Sequence, residues 1–247
     1  MKKLIVFVFA MIVTFGSAWS QTLRRGDLNG DGEVSLADLT KLADILIGRH
    51  EYVDLGLPSG TLWATCNVGA NFPEEYGDYF SFGETEPKSD YTWSTYKWCE
   101  GTESTMTKYC LNEAYGTVDS LEFLALEDDA ARANWGGEWR MPTKAQLNEL
   151  TEEFMTWDFN ANVNGVAGVL LTSRSNGNTL FLPYAGYYNG TTLIGKEHHA
   201  AIRGCNVTNA NISSYRWWRT GDVVTFNGTR CYGTTIRPVL NVNTSGE

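Results

Sequence analysis

Basic residues are scarce. Nineteen Lys and Arg stand against 29 Asp and Glu in 247 residues, for a formal net charge of −10 at pH 7. That balance argues against nucleic acid and against anionic membrane surfaces as partners. Histidine occurs three times and Cys-x-x-Cys not at all, so the common zinc sets lack donors at suitable spacing. The five cysteines (Cys66, Cys99, Cys110, Cys205, Cys231) are an odd count at irregular intervals. Cys99 and Cys110 are close enough in sequence to bridge a loop in an oxidising compartment, and buried free thiols are an equal reading. Gly-x-Ser-x-Gly, His-Glu-x-x-His and P-loop patterns are all missing. No internal repeat and no long low-complexity linker occurs, and past residue 20 no apolar run is long enough to span a bilayer.

The first twenty residues read as a leader. Lys2 and Lys3 precede an apolar run over Leu4–Phe15, and Ala18 and Ser20 are small residues ahead of Gln21. This is the pattern of a secretory signal peptide over residues 1–20. No cysteine follows the run, which argues against a lipoprotein anchor. The expected location is extracellular or at the cell surface.

The stretch DLNGDGEVSLAD, residues 27–38, crowds acidic groups around glycines. Numbered from Asp27, side-chain oxygens fall at positions 1, 3, 5, 9 and 12: Asp27, Asn29, Asp31, Ser35 and Asp38. Glu33 at position 7 would offer its backbone carbonyl, and Gly32 falls at the sharp turn. That is the calcium pattern of an EF-hand loop, with Asp in place of Glu at position 12. Calcium is therefore the expected cofactor, its charge offset by the clustered carboxylates. Leu36, Leu39, Leu42, Ala43 and Leu46 then recur at helical spacing up to Gly48. A calcium loop followed by a leucine-rich helix resembles a type I dockerin repeat, here over residues 26–49. The resemblance implies a cohesin-like module as partner and a place in a larger secreted assembly, often one that degrades polysaccharide. Two features depart from it. Only one repeat is present, and Leu36 and Ala37 stand where Ser and Thr often contact cohesin.

From Tyr52 onward the pattern changes to strands and turns. VDLGLPSGTLWATCNVGA reads as two strands about Pro58-Ser59-Gly60, and GVLLTSRSNGNTLFLPYAGY as a hairpin through Asn176-Gly177. SLEFLALEDDAARANWG reads as helical toward its end. WRMPTKAQLNELTEEF is a clearer helix, with Thr143 and Gln146 forming a capping box. GDVVTFNGTRCYGTTIRPVL closes the chain with further strands. Pattern alone predicts one α+β domain over residues 51–247, preceded by the half-repeat over 21–50.

LPSGTLWATCNVGA, YGDYFSFGET, DDAARANWGGEWRMPTKAQLNEL, LPYAGY and IRPV together resemble a secreted Bacteroidetes family. It is related to the Fibrobacter succinogenes major paralogous domain, in the formylglycine-generating-enzyme branch of the C-type lectin fold. The resemblance spans roughly residues 52–240. It implies a C-type-lectin-like α+β domain, akin to the variable proteins of diversity-generating retroelements, which bind ligands through a C-terminal face. HHAAIRGCN and SYRWWRTGD depart from the family pattern, as a specialised binding face would.

A formylglycine-generating enzyme needs a reactive cysteine pair, and Cys205 and Cys231 are far apart in sequence and lie in no matching motif. Adjacent His198 and His199 point to opposite sides of an extended segment, which disfavours a shared metal. Asp128-Asp129 suits a helix start, with a second calcium as a minor alternative, and Glu152-Glu153 a solvated helix face. No catalytic residue is assigned. YRWWR is the richest binding candidate: on a strand, Tyr215, Trp217 and Arg219 share one face and Arg216 and Trp218 the other. Rigid aromatics beside Arg dominate interface energetics, and flat Trp faces stack on sugars. The candidate ligand face comprises His198, His199, Arg203, Tyr215, Arg216, Trp217, Trp218, Arg219 and Tyr232. Its expected ligand is a protein or a glycan. The expected function is secreted, calcium-binding ligand recognition. The alternative is a dockerin-bearing accessory part of a polysaccharide-degrading assembly.

Calorimetry on the chain lacking its leader is expected to show one calcium site that disappears in Asp31→Ala. An isotherm unchanged by that substitution would remove the calcium assignment.

Overall fold

The computed structural model describes residues 33–36, 38, 39, 42, 50–209, 211–219 and 221–241. The expected signal peptide, and Asp27, Asn29 and Asp31 of the expected calcium loop, lie outside the described residues. The chain divides into two compact units, Met1–His50 and Glu51–Glu247. In the first, Leu36, Asp38, Leu39 and Leu42 are helical. The Ser35 backbone N–H donates to the Asp38 carboxylate at 2.6 Å, which caps the start of that helix.

The second unit corrects the expected α+β class. Its described residues form mostly antiparallel β structure, with two short α-helices. In chain order come β1 (Tyr52–Asp54), β2 (Leu62–Ala64), β3 (Tyr79–Phe80), α1 (Ala130–Trp135) and α2 (Lys144–Asn148). Then follow β4 (Met155–Val163), β5 (Val166–Ser173), β6 (Thr179–Pro183), β7 (Tyr187–Asn189) and β8 (Thr192–Ile194). The chain ends in β9 (His199–Asn209), β10 (Ile212–Arg219), β11 (Asp222–Thr229), β12 (Gly233–Thr235) and β13 (Val239–Leu240). Four sheets result, in the orders β1-β2-β13, β11-β10-β9, β3-β12-β7-β8 and β4-β5-β6. No helix among the described residues is long and apolar enough to cross a membrane.

The helices are shorter than their sequence pattern for a local reason. Asp129 accepts hydrogen bonds from the N–H groups of Ala131 and Arg132, which fixes the start of α1 only at Ala130. The same carboxylate takes the Met141 N–H at 2.9 Å, tying the α1 start to the strand-like segment before α2. The capping box of Thr143 and Gln146 starts α2, but the chain turns away after Asn148. Glu152 and Glu153 are therefore exposed on a turn, not on a helix. β4 follows directly, and its apolar residues Met155, Trp157, Phe159, Ala161 and Val163 alternate with polar ones. It pairs with β5 across Asn164-Gly165, both at positive φ (50° and 87°), as a two-residue hairpin turn requires.

The main core gathers Trp63, Leu147, Leu150, Met155, Val169, Leu171, Leu182, Ile202 and Trp218 around the sheets. Outside it, three of the described arginines are fully buried and act as hubs for main-chain carbonyls. Arg237 donates to Asn67 Oδ1 at 2.9 Å, to the carbonyls of Ala64 and Phe181 at 3.1 and 3.2 Å, and to that of Thr65. Arg230 donates to Tyr96 Oη at 3.1 Å and to the carbonyls of Tyr109 and Lys108, each at 3.0 Å. Arg203 donates to the carbonyls of Arg230 and Tyr232 at 3.0 and 2.6 Å.

Asp128, almost fully buried, accepts from Lys108 Nζ and Tyr109 Oη, each at 2.6 Å. Burial alone would raise its pKa. The Lys108 and Tyr109 hydrogen bonds and the charges of Lys108 and Lys97 outweigh it and hold the carboxyl below its usual 3.8. Its contribution is thus present above the unfolded value and lost as pH falls through the lower folded value. Asp128→Asn is expected to cost about 2 kcal/mol at pH 7. In urea titrations the gap from wild type should narrow below pH 4 or so; a gap independent of pH would refute the charged role.

Candidate functional site

The antiparallel ladder of β9 and β10 decides which residues meet. Tyr215 pairs with Arg203, Trp217 with Ala201 and Arg219 with His199, so these six share one sheet face. Trp218 pairs with Ala200 and Arg216 with Ile202 on the other. Irregular pairing around Ser213, between Ile212 and Tyr215, sets this register.

The second face closes the main core. Trp218 is fully buried there, and Arg216 is 7% exposed with its guanidinium 6.0 Å from the Trp218 ring centre. Burial lowers the Arg216 pKa. Neither side chain presents a surface to a ligand in this arrangement.

The first face looks onto the sheet that carries β7 and β12, and a cavity of about 260 Å³ lies between. Tyr187 of β7, Tyr215 and Trp217 of β10, and Tyr232 supply its aromatic wall. Ala201, Gly228, Thr229 and Thr234 supply the rest. Tyr187 stacks on Tyr232 with centroids 5.6 Å apart and meets Trp217 edge-on at 5.3 Å. His199 packs edge-on against the Trp217 ring at 5.1 Å, extending the aromatic array past the cavity. These geometries are the favoured offset and T-shaped ones. Tyr215 reaches its place because residue 228 is Gly: a Cβ there would come within 2.3 Å of the Tyr215 ring.

Arg203 lies behind this wall. Its guanidinium sits 4.7 Å from the Tyr215 ring centre and donates to Tyr215 Oη as well as to the Tyr232 carbonyl. Burial lowers its pKa, opposed by the neighbouring Tyr215 and others, yet an arginine keeps its charge. Burial raises the pKa of Tyr187 and Tyr215, the latter against the opposing charge of Arg203, so both phenols are neutral. Burial, His198 and Arg219 hold His199 below its usual pKa.

The structure thus divides the nine candidate residues. Tyr215, Trp217 and Tyr232 line the cavity, and His199 and Arg203 support its wall. Arg219 is exposed at the strand end and pairs with Asp222 at 2.8 Å; His198 is exposed on the turn before β9. Trp218 and Arg216 face the core. Sequence reasoning missed Tyr187 and Thr234, although the paired tyrosines of LPYAGYYNG were a usable signal.

The lining offers ring faces and neutral hydroxyls, a set suited to holding a ligand. Cys205 and Cys231 belong to separate core clusters, and burial pushes each thiol up to about 12, far from a reactive thiolate. All five cysteines are unbridged, Cys99 and Cys110 included. Glu33, Ser35 and Asp38 of the calcium set are described, and among the described residues no three His, Cys, Asp or Glu side chains are grouped to hold a metal.

Trp218→Ala is expected to destabilise by about 3–5 kcal/mol. Trp217→Ala, losing edge contacts beside an open cavity, should cost about 1–2 kcal/mol. Chemical denaturation of the two variants checks this, and equal losses would contradict the division of the strand.

Comparison with family models, with curated proteins and with solved structures returned no match.

Proposed function

We infer that this chain is a secreted ligand-recognition protein whose binding site is the aromatic cavity between β10 and the β7–β12 sheet. The observation that carries this reading is the convergence of Tyr187, Tyr215, Trp217 and Tyr232 on one space of about 260 Å³. Binding sites are concave and largely aromatic or apolar, with a few placed polar groups. Here the polar groups are the tyrosine hydroxyls and the Thr229 and Thr234 side chains. The volume lies below the roughly 300–1,000 Å³ of drug-sized sites, which suits a single six-membered ring. A sugar ring presents C–H faces that pack on Trp and Tyr and hydroxyls that bond to the rim. A glycan is accordingly the favoured ligand over a protein surface.

Calcium is the proposed cofactor of the first unit, held by Asp27, Asn29, Asp31, Glu33, Ser35 and Asp38. The spacing of those residues is its support. The same spacing favours a second reading, an accessory protein recruited by a cohesin-like module into a polysaccharide-degrading assembly. Both place the protein outside the cell, and pull-down with cohesin modules separates them.

A glycan array probed with the chain lacking its leader is expected to give a ligand that Trp217→Ala loses. Capture undiminished in Trp217→Ala and in Tyr187→Ala would move the binding site elsewhere.

A further inference from the structure

The cavity wall hides an unbalanced charge. Arg203 is fully buried, and among the described residues no carboxylate pairs with it and its Nε has no hydrogen-bond partner. Glu84, an acidic side chain near enough to interact with it, is already paired with Lys88 at 2.8 Å. Asp222, at the end of the same sheet, is paired with Arg219 at 2.8 Å. A cation in a low-dielectric wall without a counter-ion projects positive potential into the space it borders. The chain as a whole is strongly negative, so this potential is local to the site.

Tyr215 carries that charge to the cavity surface. Its oxygen accepts from Arg203, so its own proton must point elsewhere. Beside it lie the Thr229 carbonyl, a long contact at 3.4 Å, and the hydroxyls of Ser213 and Thr234. Tyr215 lines the aromatic cavity, and a hydroxyl polarised by Arg203 donates more strongly to an anionic oxygen than to these neutral groups.

We propose that the cavity selects an acidic sugar, a hexuronate, whose ring packs on Trp217 and the tyrosines while its carboxylate accepts from Tyr215 and balances Arg203. The proposal rests on the ligand-recognition reading above. A neutral hexose would leave Arg203 uncompensated, and an amino sugar would add a like charge. Arg203 is a positioning residue here, because it reaches the ligand only through Tyr215.

The methyl glycosides of galactose and galacturonate differ only at C6, as do those of glucose and glucuronate. Titrated against the full chain by calorimetry and Trp fluorescence, the uronates are expected to bind about tenfold tighter than their neutral partners. Glucosamine is expected to bind weakest. Tyr215→Phe should erase the uronate advantage and leave neutral-sugar affinity nearly unchanged, which a merely structural role would not do. Equal affinity for acidic and neutral sugars overturns the proposal and leaves glycan recognition standing. Binding of none of them overturns the sugar assignment altogether. Should Tyr215→Phe lose its cooperative melt, the wild-type ratio of galacturonate to galactose decides alone.

Discussion

Three buried guanidinium groups hold this fold together. Much of the second unit is irregular, and irregular backbone buried against a sheet leaves carbonyls with no ladder to join. Arg230 and Arg203 supply donors to such carbonyls, and Arg237 ties β2 to β6 through the carbonyls of Ala64 and Phe181. An arginine carries five N–H donors in a rigid fork, so one side chain can satisfy several carbonyls that no strand could align. The cost is a desolvated charge, which burial registers as a lowered pKa in Arg203 and Arg237. Arg203 also donates to the carbonyl of Arg230, so two of the hubs are joined.

This scaffold explains where the cavity lies. Arg203 pins the Tyr232 carbonyl and the Tyr215 hydroxyl, and both residues line the space. The cavity is thus an extension of the network that satisfies the turns, and Arg203 serves both. Trp218 anchors the opposite face in the main core, leaving its neighbour Trp217 to face the cavity.

Local signals were legible where chemistry forces a conformation. Pro58-Ser59-Gly60 joins β1 to β2, Asn176-Gly177 joins β5 to β6, and Thr143 with Gln146 begins α2. The alternation along β10 separated its two faces from sequence alone. The class itself was misjudged. β4 follows α2 closely and alternates apolar with polar residues, a strand signal that the helical stretch before it obscured. β9 is buried on both faces and carries Arg, Gly and Cys, so it shows neither alternation nor an apolar run. The cavity was only half visible because Tyr187 and Thr234 join Trp217 through pairings between sheets, which sequence spacing does not encode.

The irregular pairing around Ser213 has a consequence for how such a protein can change over time. It sets the frame in which Tyr215 opposes Arg203, and side chains along a strand alternate with a period of two. Removing or adding one residue in the β9–β10 connection would exchange the two tryptophans. The indole that now seals the core would face the cavity, and Arg216 would come to the face where Trp217 stood. Length changes that the irregular pairing does not absorb would disrupt the core, while a substitution at Trp217 leaves Trp218 in place. Change at the cavity is therefore channelled into side-chain replacement at fixed frame, one face of one strand at a time.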